Sequence, residues 1–359
     1  MHICYLAHSS SSHTRKWTSY MLGRGYRVTV LSLTDAPVEC SRFVHLRSAL
    51  GKMAGLPFLV ERARREIAAD PPDILHAHYS RSNGLIGALT GFHPFVLSVW
   101  GTDIYQVPRQ SPWWRAATKY VCAKADHVCA TSENLASETR RYCPDKQIVI
   151  TPFGIDCARF SPAPNAGAHE FVFGTVKSLD YRYGVDTLIR AFAVASREWR
   201  WPTAPRLLIV GRGPHESGLR RLAKEAAVPH AIEFRGYVEH CRVPEVLREM
   251  DVFISVSVVN ESFGVSALEA SACGLPVIAS RVPGFVETVQ DNLTGIIVAP
   301  GDVAETAAAM LRLAADDGLR HSYGAAGRRW VEARYDWRHN AVIMEDLYAR
   351  ILRSCALSC

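Results

Sequence analysis

The chain has no C-x-x-C pair, no D-x-D pair and no long apolar run, and each absence removes a class of function. Its ten cysteines are scattered from Cys4 to Cys359, which is neither a metal-ligand spacing nor a secreted disulfide framework. Thiols in a reducing cytosol are the simpler expectation. The longest apolar run, around residues 95–100, falls far short of the ~20 residues a spanning helix needs. The opening "MHICYLAHSS" enters a strand pattern at once, so no signal peptide is expected. The expected location is cytoplasmic, or at most peripheral on the cytoplasmic face of a membrane. Without D-x-D or a His/Asp cluster, neither a bound metal nor a resident cofactor is expected.

What is present has the balance of an ordinary globular protein, with 48% apolar and 21% charged residues. A length of 359 residues exceeds what one hydrophobic core usually supports, so two domains are expected. The charge is uneven. Residues 1–160 hold 19 Lys or Arg against 12 Asp or Glu, and the remainder holds 22 against 23. A basic half beside a neutral one suggests two different jobs. The basic half suits an anionic surface or substrate, although an ordinary solvated face would give the same count.

Short apolar runs recur at residues 2–7, 27–33, 73–77, 95–99, 127–131 and 147–151. They recur again at 170–176, 206–210, 231–234, 252–256, 276–279 and 295–298. Helical patterns lie between several of them, for example at 15–24 and 61–69. Buried runs alternating with amphipathic helices predict an α/β chain of two doubly wound, Rossmann-like domains with parallel sheets. The stretch "FSPAPNAGAHE" (160–170) is rich in Pro, Gly and Ala and reads as a linker. The expected boundaries are therefore 1–160, a linker at 161–170, and a second domain at 171–335. Two such domains face one another across a cleft, and ligands bind outside the carboxyl ends of the strands.

The most informative segment is "ESFGVSALEASACGLPVIAS" (261–280), in which seven residues separate Glu261 from Glu269. Its pattern is a loop, then a helix from Val265, then a strand. Ser262 or Ser266 suits the start of the helix, and Gly274 with Pro276 supplies the stop. Glu261 falls in the loop and Glu269 about one turn inside the helix, roughly 8–10 Å apart along the axis. That spacing fits two ends of one elongated polar ligand better than a single bond being cut. A solvated loop carboxylate and a capping one would look alike from this segment alone. The loop, however, follows a strand's carboxyl end, where ligands bind.

Weaker signals sit at other strand ends. "LLIVGRGP" places Gly211 in a turn, and "FRGYV" ends a strand at Gly236, followed by Tyr237 and Val238. Lys177 and Arg182 put cations on the loop after the first strand of the second half, as a pyrophosphate requires.

Together these residues resemble the nucleotide-sugar-binding domain of retaining glycosyltransferases of the GT-B fold, family 4. The resemblance rests on the 261–280 segment, "LLIVGRGP", "FRGYV", "TPFGIDCARFSP" and "FGTVKSLDYRYGVDTLIRAF". "HTRKW", "DILHAHY" and "SVWGTDIY" carry it in the first half, which it identifies as the acceptor-binding domain. The tail "ARYDWRHNAVIMEDLYARIL" is similar to a final helix, 336–359, that crosses back to the first domain.

The resemblance implies that Glu269 holds the donor ribose and that Glu261 holds the sugar hydroxyls. The amides of Phe263, Gly264 and Val265 lie beside Glu261, and residues 236–238 touch the base. Lys177 and Arg182 hold the diphosphate, although the usual G-R-L and K-G are replaced here. Ser178 or Lys177 falls at the arginine, and Arg182 or Tyr183 at the lysine. Trp100 stands where many relatives have a histidine; it offers no acceptor. Asp103 is retained as the expected catalytic-side contact, with His76 and His78 as possible replacements for the histidine.

The implied reaction moves a glycosyl group from a nucleotide diphosphate sugar to an acceptor hydroxyl with retained anomeric configuration. Attack comes on the face the diphosphate leaves, and a phosphate oxygen takes the acceptor proton. The expected partners are the donor and a glycan or lipid-linked acceptor of cell-surface biosynthesis, with no nucleic acid. Cations mixed with bulky apolar groups at 52–65 and 113–120 suit an anionic membrane surface. A glycoside hydrolase, a sugar-nucleotide epimerase of the same architecture and a non-catalytic donor-binding subunit are the competing readings.

Overall fold

The computed structural model describes residues 1–162, 170–226, 228, 231–259 and 261–357. Most of the expected linker therefore lies outside the described residues. The chain divides into two compact units, Met1–Phe153 with Asn340–Cys359, and Gly154–His339.

The first unit is built on a seven-stranded parallel sheet. Its strands are β1 (His2–Leu6), β2 (Arg27–Ser32), β3 (Arg42–His45), β4 (Ile74–His78), β5 (Phe95–Val99), β6 (His127–Ala130) and β7 (Ile148–Ile150). Their spatial order is β3-β2-β1-β4-β5-β6-β7. The order reverses between β1 and β4, which is where doubly wound sheets open a crevice. β1, β4 and β5 are buried at every residue, and their side chains are apolar or hydrogen-bonded except at His78, whose buried Nδ1 has no partner among the described residues. β3 was not among the expected strands. Its four residues, Arg-Phe-Val-His, lie at the sheet edge with only Val44 buried, too short and polar to stand out as an apolar run.

The second unit has a six-stranded parallel sheet. It comprises β8 (Val172–Val176), β9 (Arg206–Val210), β10 (Ile232–Gly236), β11 (Val252–Ser255), β12 (Val277–Ser280) and β13 (Gly295–Val298). The order is β10-β9-β8-β11-β12-β13, with the switch between β8 and β11. All six strands fall on expected runs.

The segment 154–160, expected in the first domain, packs with the second unit. Ile155 bridges Asp336. Arg328 donates to the carbonyls of Cys157 (2.9 Å) and Phe160, and Arg248 to those of Arg159 (3.2 Å) and Ser161 (2.9 Å). The last helix, Trp337–Leu357, passes to the first unit from Asn340 onward. There Tyr348 meets Tyr5 (3.2 Å) and His76, while Glu345 accepts from Arg24 (3.1 Å), Tyr20 (3.0 Å) and Tyr26.

Candidate functional site

In the second unit the candidate residues gather at the carboxyl ends of β8 to β11. Two close backbone approaches build the floor. Gly211, just past β9, has φ 141°, and a Cβ there would lie 1.9 Å from the Lys177 carbonyl oxygen. Gly213 likewise faces the Leu179 carbonyl at 2.3 Å. Side chains at either position would push the two loops apart. Gly211 N donates to Gly236 O (2.8 Å) and Lys177 N to Val210 O (2.9 Å), which ties the turns after β8, β9 and β10 together.

The helix carrying Glu269 spans Val265–Ala272. Neither Ser262 nor Ser266 caps it. Gly264 does so in the left-handed region at φ 79°, without a side-chain hydrogen bond. A Cβ on Gly264 would meet the Phe285 ring at 2.7 Å. Conformation and space both demand glycine. Phe263 is buried at 1% exposure and packs edge-on against Tyr335, so its ring belongs to the core.

Both carboxylates are engaged. Lys177 Nζ donates to Glu261 Oε2 at 2.6 Å, with the side chains 13% and 15% exposed. The rings of Tyr183 and Phe285 flank the ammonium at 4.6 and 5.9 Å. His240 Nε2 lies 2.7 Å from Glu269 Oε1, and the Glu269 side chain is 7% exposed. Among the described residues no group of three or more His, Cys, Asp or Glu is placed to hold a metal.

Of the two expected cations, Lys177 alone reaches Glu261. Arg182 turns to Asp180, donating from Nε (3.1 Å) and a terminal nitrogen (2.9 Å), and its own amide donates to the same carboxylate (3.0 Å). Hydrogen bonds from Arg182 hold the Asp180 carboxyl below its ordinary value. A diphosphate role for Arg182 would require breaking this clamp. Gly236 closes β10 at φ 79°, and Tyr237 beyond it is exposed. Val238 is half-buried.

Asp103, in the first unit, is wholly buried. Burial pushes its carboxyl up, against amides that favour the charged form. It accepts from the backbone of Ser80 (2.8 Å), Gly101 (2.8 Å) and Trp100 (3.1 Å). These bonds fasten the turns after β4 and β5 to one buried carboxylate. Tyr79, in one of those turns, has φ 82°, a strained value for a residue with a side chain. His76 is committed to Tyr348 and Ser98, and burial pushes it down to about 3. His78 is also buried, and its ring lies 4.7 Å from that of Trp100.

Sequence reasoning missed His240. The signal was modest: a histidine four residues past the glycine turn at Gly236, with nothing local linking it to a glutamate 29 residues on.

Comparison with known proteins agrees with this layout. The family model described as glycosyl transferases group 1 matches residues 159–330, and the glycosyl transferase 4-like model matches 2–132. The chain is 35% identical over 218 residues to the GDP-mannose-dependent alpha-(1-6)-phosphatidylinositol monomannoside mannosyltransferase of Mycobacterium tuberculosis. That match spans little more than half of each protein, 56% of both. It is 30% identical over 334 residues to the D-inositol 3-phosphate glycosyltransferase of Salinispora arenicola, covering 83% of this chain and 73% of the relative. Among solved structures, sucrose-phosphate synthase of Thermosynechococcus elongatus superposes with a TM-score of 0.85 at 24% identity, over 99% of this chain and 100% of the other. Anabaena HepE, solved in complex with UDP and glucose, gives 0.77 at 19% identity over 99% and 100%. These two share the GT-B fold with it. On its two units, their sheet order and these matches, the chain belongs to the glycosyl transferases group 1, family 4 of the GT-B glycosyltransferases.

Proposed function

We propose that the protein moves a sugar from a nucleotide diphosphate sugar to an acceptor hydroxyl, with retention of anomeric configuration. The observation that carries this reading is the loop–helix element of Glu261 and Glu269. Each carboxylate already holds a cation or ring N–H, and the first turn of a helix lies between them. A helix amino end and a lysine are what a diphosphate needs, and two carboxylates suit the hydroxyls at either end of the donor.

Glu269 then takes the ribose and Glu261 the sugar, Lys177 turns from Glu261 to the diphosphate, and residues 236–238 meet the base. The bond from the anomeric carbon to the diphosphate oxygen breaks as the acceptor oxygen bonds to that carbon. The acceptor proton passes to the departing phosphate. No protein nucleophile is needed. Lys177 and the helix amino end stabilise the charge that develops on the leaving group. A relative named as GDP-mannose-dependent and a fold neighbour solved with UDP both favour a nucleotide donor, and they leave the base open.

The first unit is the proposed acceptor side, facing a glycan or a lipid-linked glycan at an anionic membrane surface on the cytoplasmic face. Trp113 and Tyr120 on the helix Pro112–Lys124 are 50% and 38% exposed, and Phe58 is 63% exposed. A recess at the amino end of that helix is lined by Arg109, Arg115, Glu138 and Arg141, with Arg109 (2.7 Å) and Arg141 (3.0 Å) paired to Glu138. No helix among the described residues is long and apolar enough to cross a membrane.

A panel of nucleotide sugars scored by thermal stabilisation tests the donor reading, because a ligand of the native state raises the melting temperature. The stabilising donor is then incubated with water alone and with acceptor extracts. Free sugar in water would point to a hydrolase, and an epimer without acceptor to an epimerase. No stabilisation by any nucleotide sugar would refute the proposal.

A further inference from the structure

A buried carboxylate must be hydrogen-bonded or its burial is costly. Glu269, the fifth residue of its helix, is 6% exposed, and its partner is one imidazole nitrogen, His240 Nε2 at 2.7 Å. The other imidazole nitrogen, Nδ1, lies 3.3 Å from a terminal nitrogen of Arg159, which also donates to the His240 carbonyl. A guanidinium has only donors, so Nδ1 accepts. The ring proton therefore sits on Nε2 and points at Glu269 Oε1. Among the described residues no donor reaches Glu269 Oε2.

The relay has a firm base. The Arg159 carbonyl accepts from Arg248, and the Phe160 carbonyl from Arg328. The Arg159 guanidinium lies 5.3 Å from the centre of the Phe160 ring, and the imidazole packs against that ring at 5.6 Å. An imidazole whose side chain is 54% exposed is thus held in one orientation from two sides. With Oε1 fixed by His240, Oε2 is the oxygen presented to a ligand.

We propose that His240 is the positioning residue for ribose recognition, aiming the Glu269 carboxylate at the ribose hydroxyls through the relay from Arg159. This rests on the assignment of Glu269 to the ribose made above. It makes the preference for a ribonucleotide over its deoxy counterpart depend on two residues that need not touch the reacting atoms.

The test is calorimetric titration of the full chain with UDP and GDP and with their 2′-deoxy and 3′-deoxy counterparts. The wild type, E269A, H240L and H240Q are compared, with thermal melts to show that each folds. E269A is expected to abolish the ribo-over-deoxy preference. H240L is expected to lose about tenfold of it, the worth of one hydrogen bond to a charged group, while deoxynucleotide affinity stays unchanged. H240Q keeps an N–H donor and is expected to retain most of the preference. If H240L does not fold, R159M replaces it, with the same expected loss. The inference is overturned if H240L or R159M weakens ribo- and deoxynucleotides alike, if either leaves the preference intact, or if H240Q behaves as H240L. If E269A itself keeps the preference, the ribose assignment fails regardless of His240.

Discussion

Lys177 and Glu261 offer the sharpest test of the donor reading, because they should respond to substitution with opposite signs. The pair is short at 2.6 Å, and both side chains are largely withdrawn from water. Exposed ion pairs contribute about 0–1 kcal/mol, whereas hydrogen bonds to charged groups contribute about 1.5–3 kcal/mol. At 13% and 15% exposure the pair belongs near the lower end of the second range. Urea unfolding of K177M, E261Q and the double variant is therefore expected to give a coupling energy of about 1–2 kcal/mol. Binding separates the roles. K177M should weaken UDP or GDP by one to two decades, because the diphosphate loses its lysine. E261Q should leave that affinity unchanged or raise it, since Lys177 no longer has to leave a carboxylate, while transfer slows. Equal weakening of the bare nucleotide by both substitutions would refute the exchange of Lys177 from Glu261 to the diphosphate.

Four further outcomes follow from the same structure. G211A forces a methyl group into the Lys177 carbonyl and strains a glycine φ, so it should cost roughly 2 kcal/mol or more, read as a lower melting temperature. Burial pushes the Glu345 carboxyl up, but hydrogen bonds from Tyr26, Arg24 and Tyr20 outweigh it and hold the group below its ordinary value. A depressed carboxylate adds stability above its unfolded pKa and loses it as pH falls through the folded one, so the wild type should lose more stability than E345Q on acidification from pH 7 into that range; parallel urea melts across the series check this. Turnover should survive EDTA, with Lys177 and the helix amino end supplying the positive charge, and strict dependence on added metal would count against that account. The protein should sediment with anionic vesicles at low salt and be released as salt rises, and R115E with K119E should weaken this without altering nucleotide affinity. Arg62 and Arg65 are poorer choices for that test, because Glu66 and Glu61 already engage them.

The parallel sheets were legible because their strands are buried on both faces and so read as apolar runs. β7 and β10 are only partly buried and were still legible from their apolar residues, but other features were missed. β3 is a short, polar edge strand. The helix expected at 61–69 begins at Leu56, since the run Leu-Pro-Phe-Leu-Val hides its period although Pro57 suits a first turn. The helix that carries Glu269 begins at Val265 as expected, but its cap is Gly264 rather than Ser262 or Ser266, and the close approach of Phe285 admits only a glycine there. The E-x7-E spacing was visible, and its partners were not. Lys177 meets Glu261 across 84 residues and His240 meets Glu269 across 29, and no local pattern encodes either pairing. Asp103 also has partners that the sequence hides. A carboxylate at a strand's carboxyl end looks functional in sequence, and burial and three backbone amides give it a structural task as well.

That both site carboxylates are paired before any donor arrives has a physical cause. Unpartnered charges at such low exposure would be expensive, so the chain supplies each with an internal donor. On the proposed reading a donor has only to draw Lys177 from Glu261, because His240 keeps its place on Glu269. A nucleotide diphosphate can do so, because its phosphates compete for Lys177 as its ribose hydroxyls approach the oxygen of Glu269 that His240 leaves open. A free monosaccharide brings hydroxyls to Glu261 but nothing to draw Lys177 away. On the proposed reading, that pairing disfavours the bare sugar and ties sugar recognition to the diphosphate that draws Lys177 from Glu261.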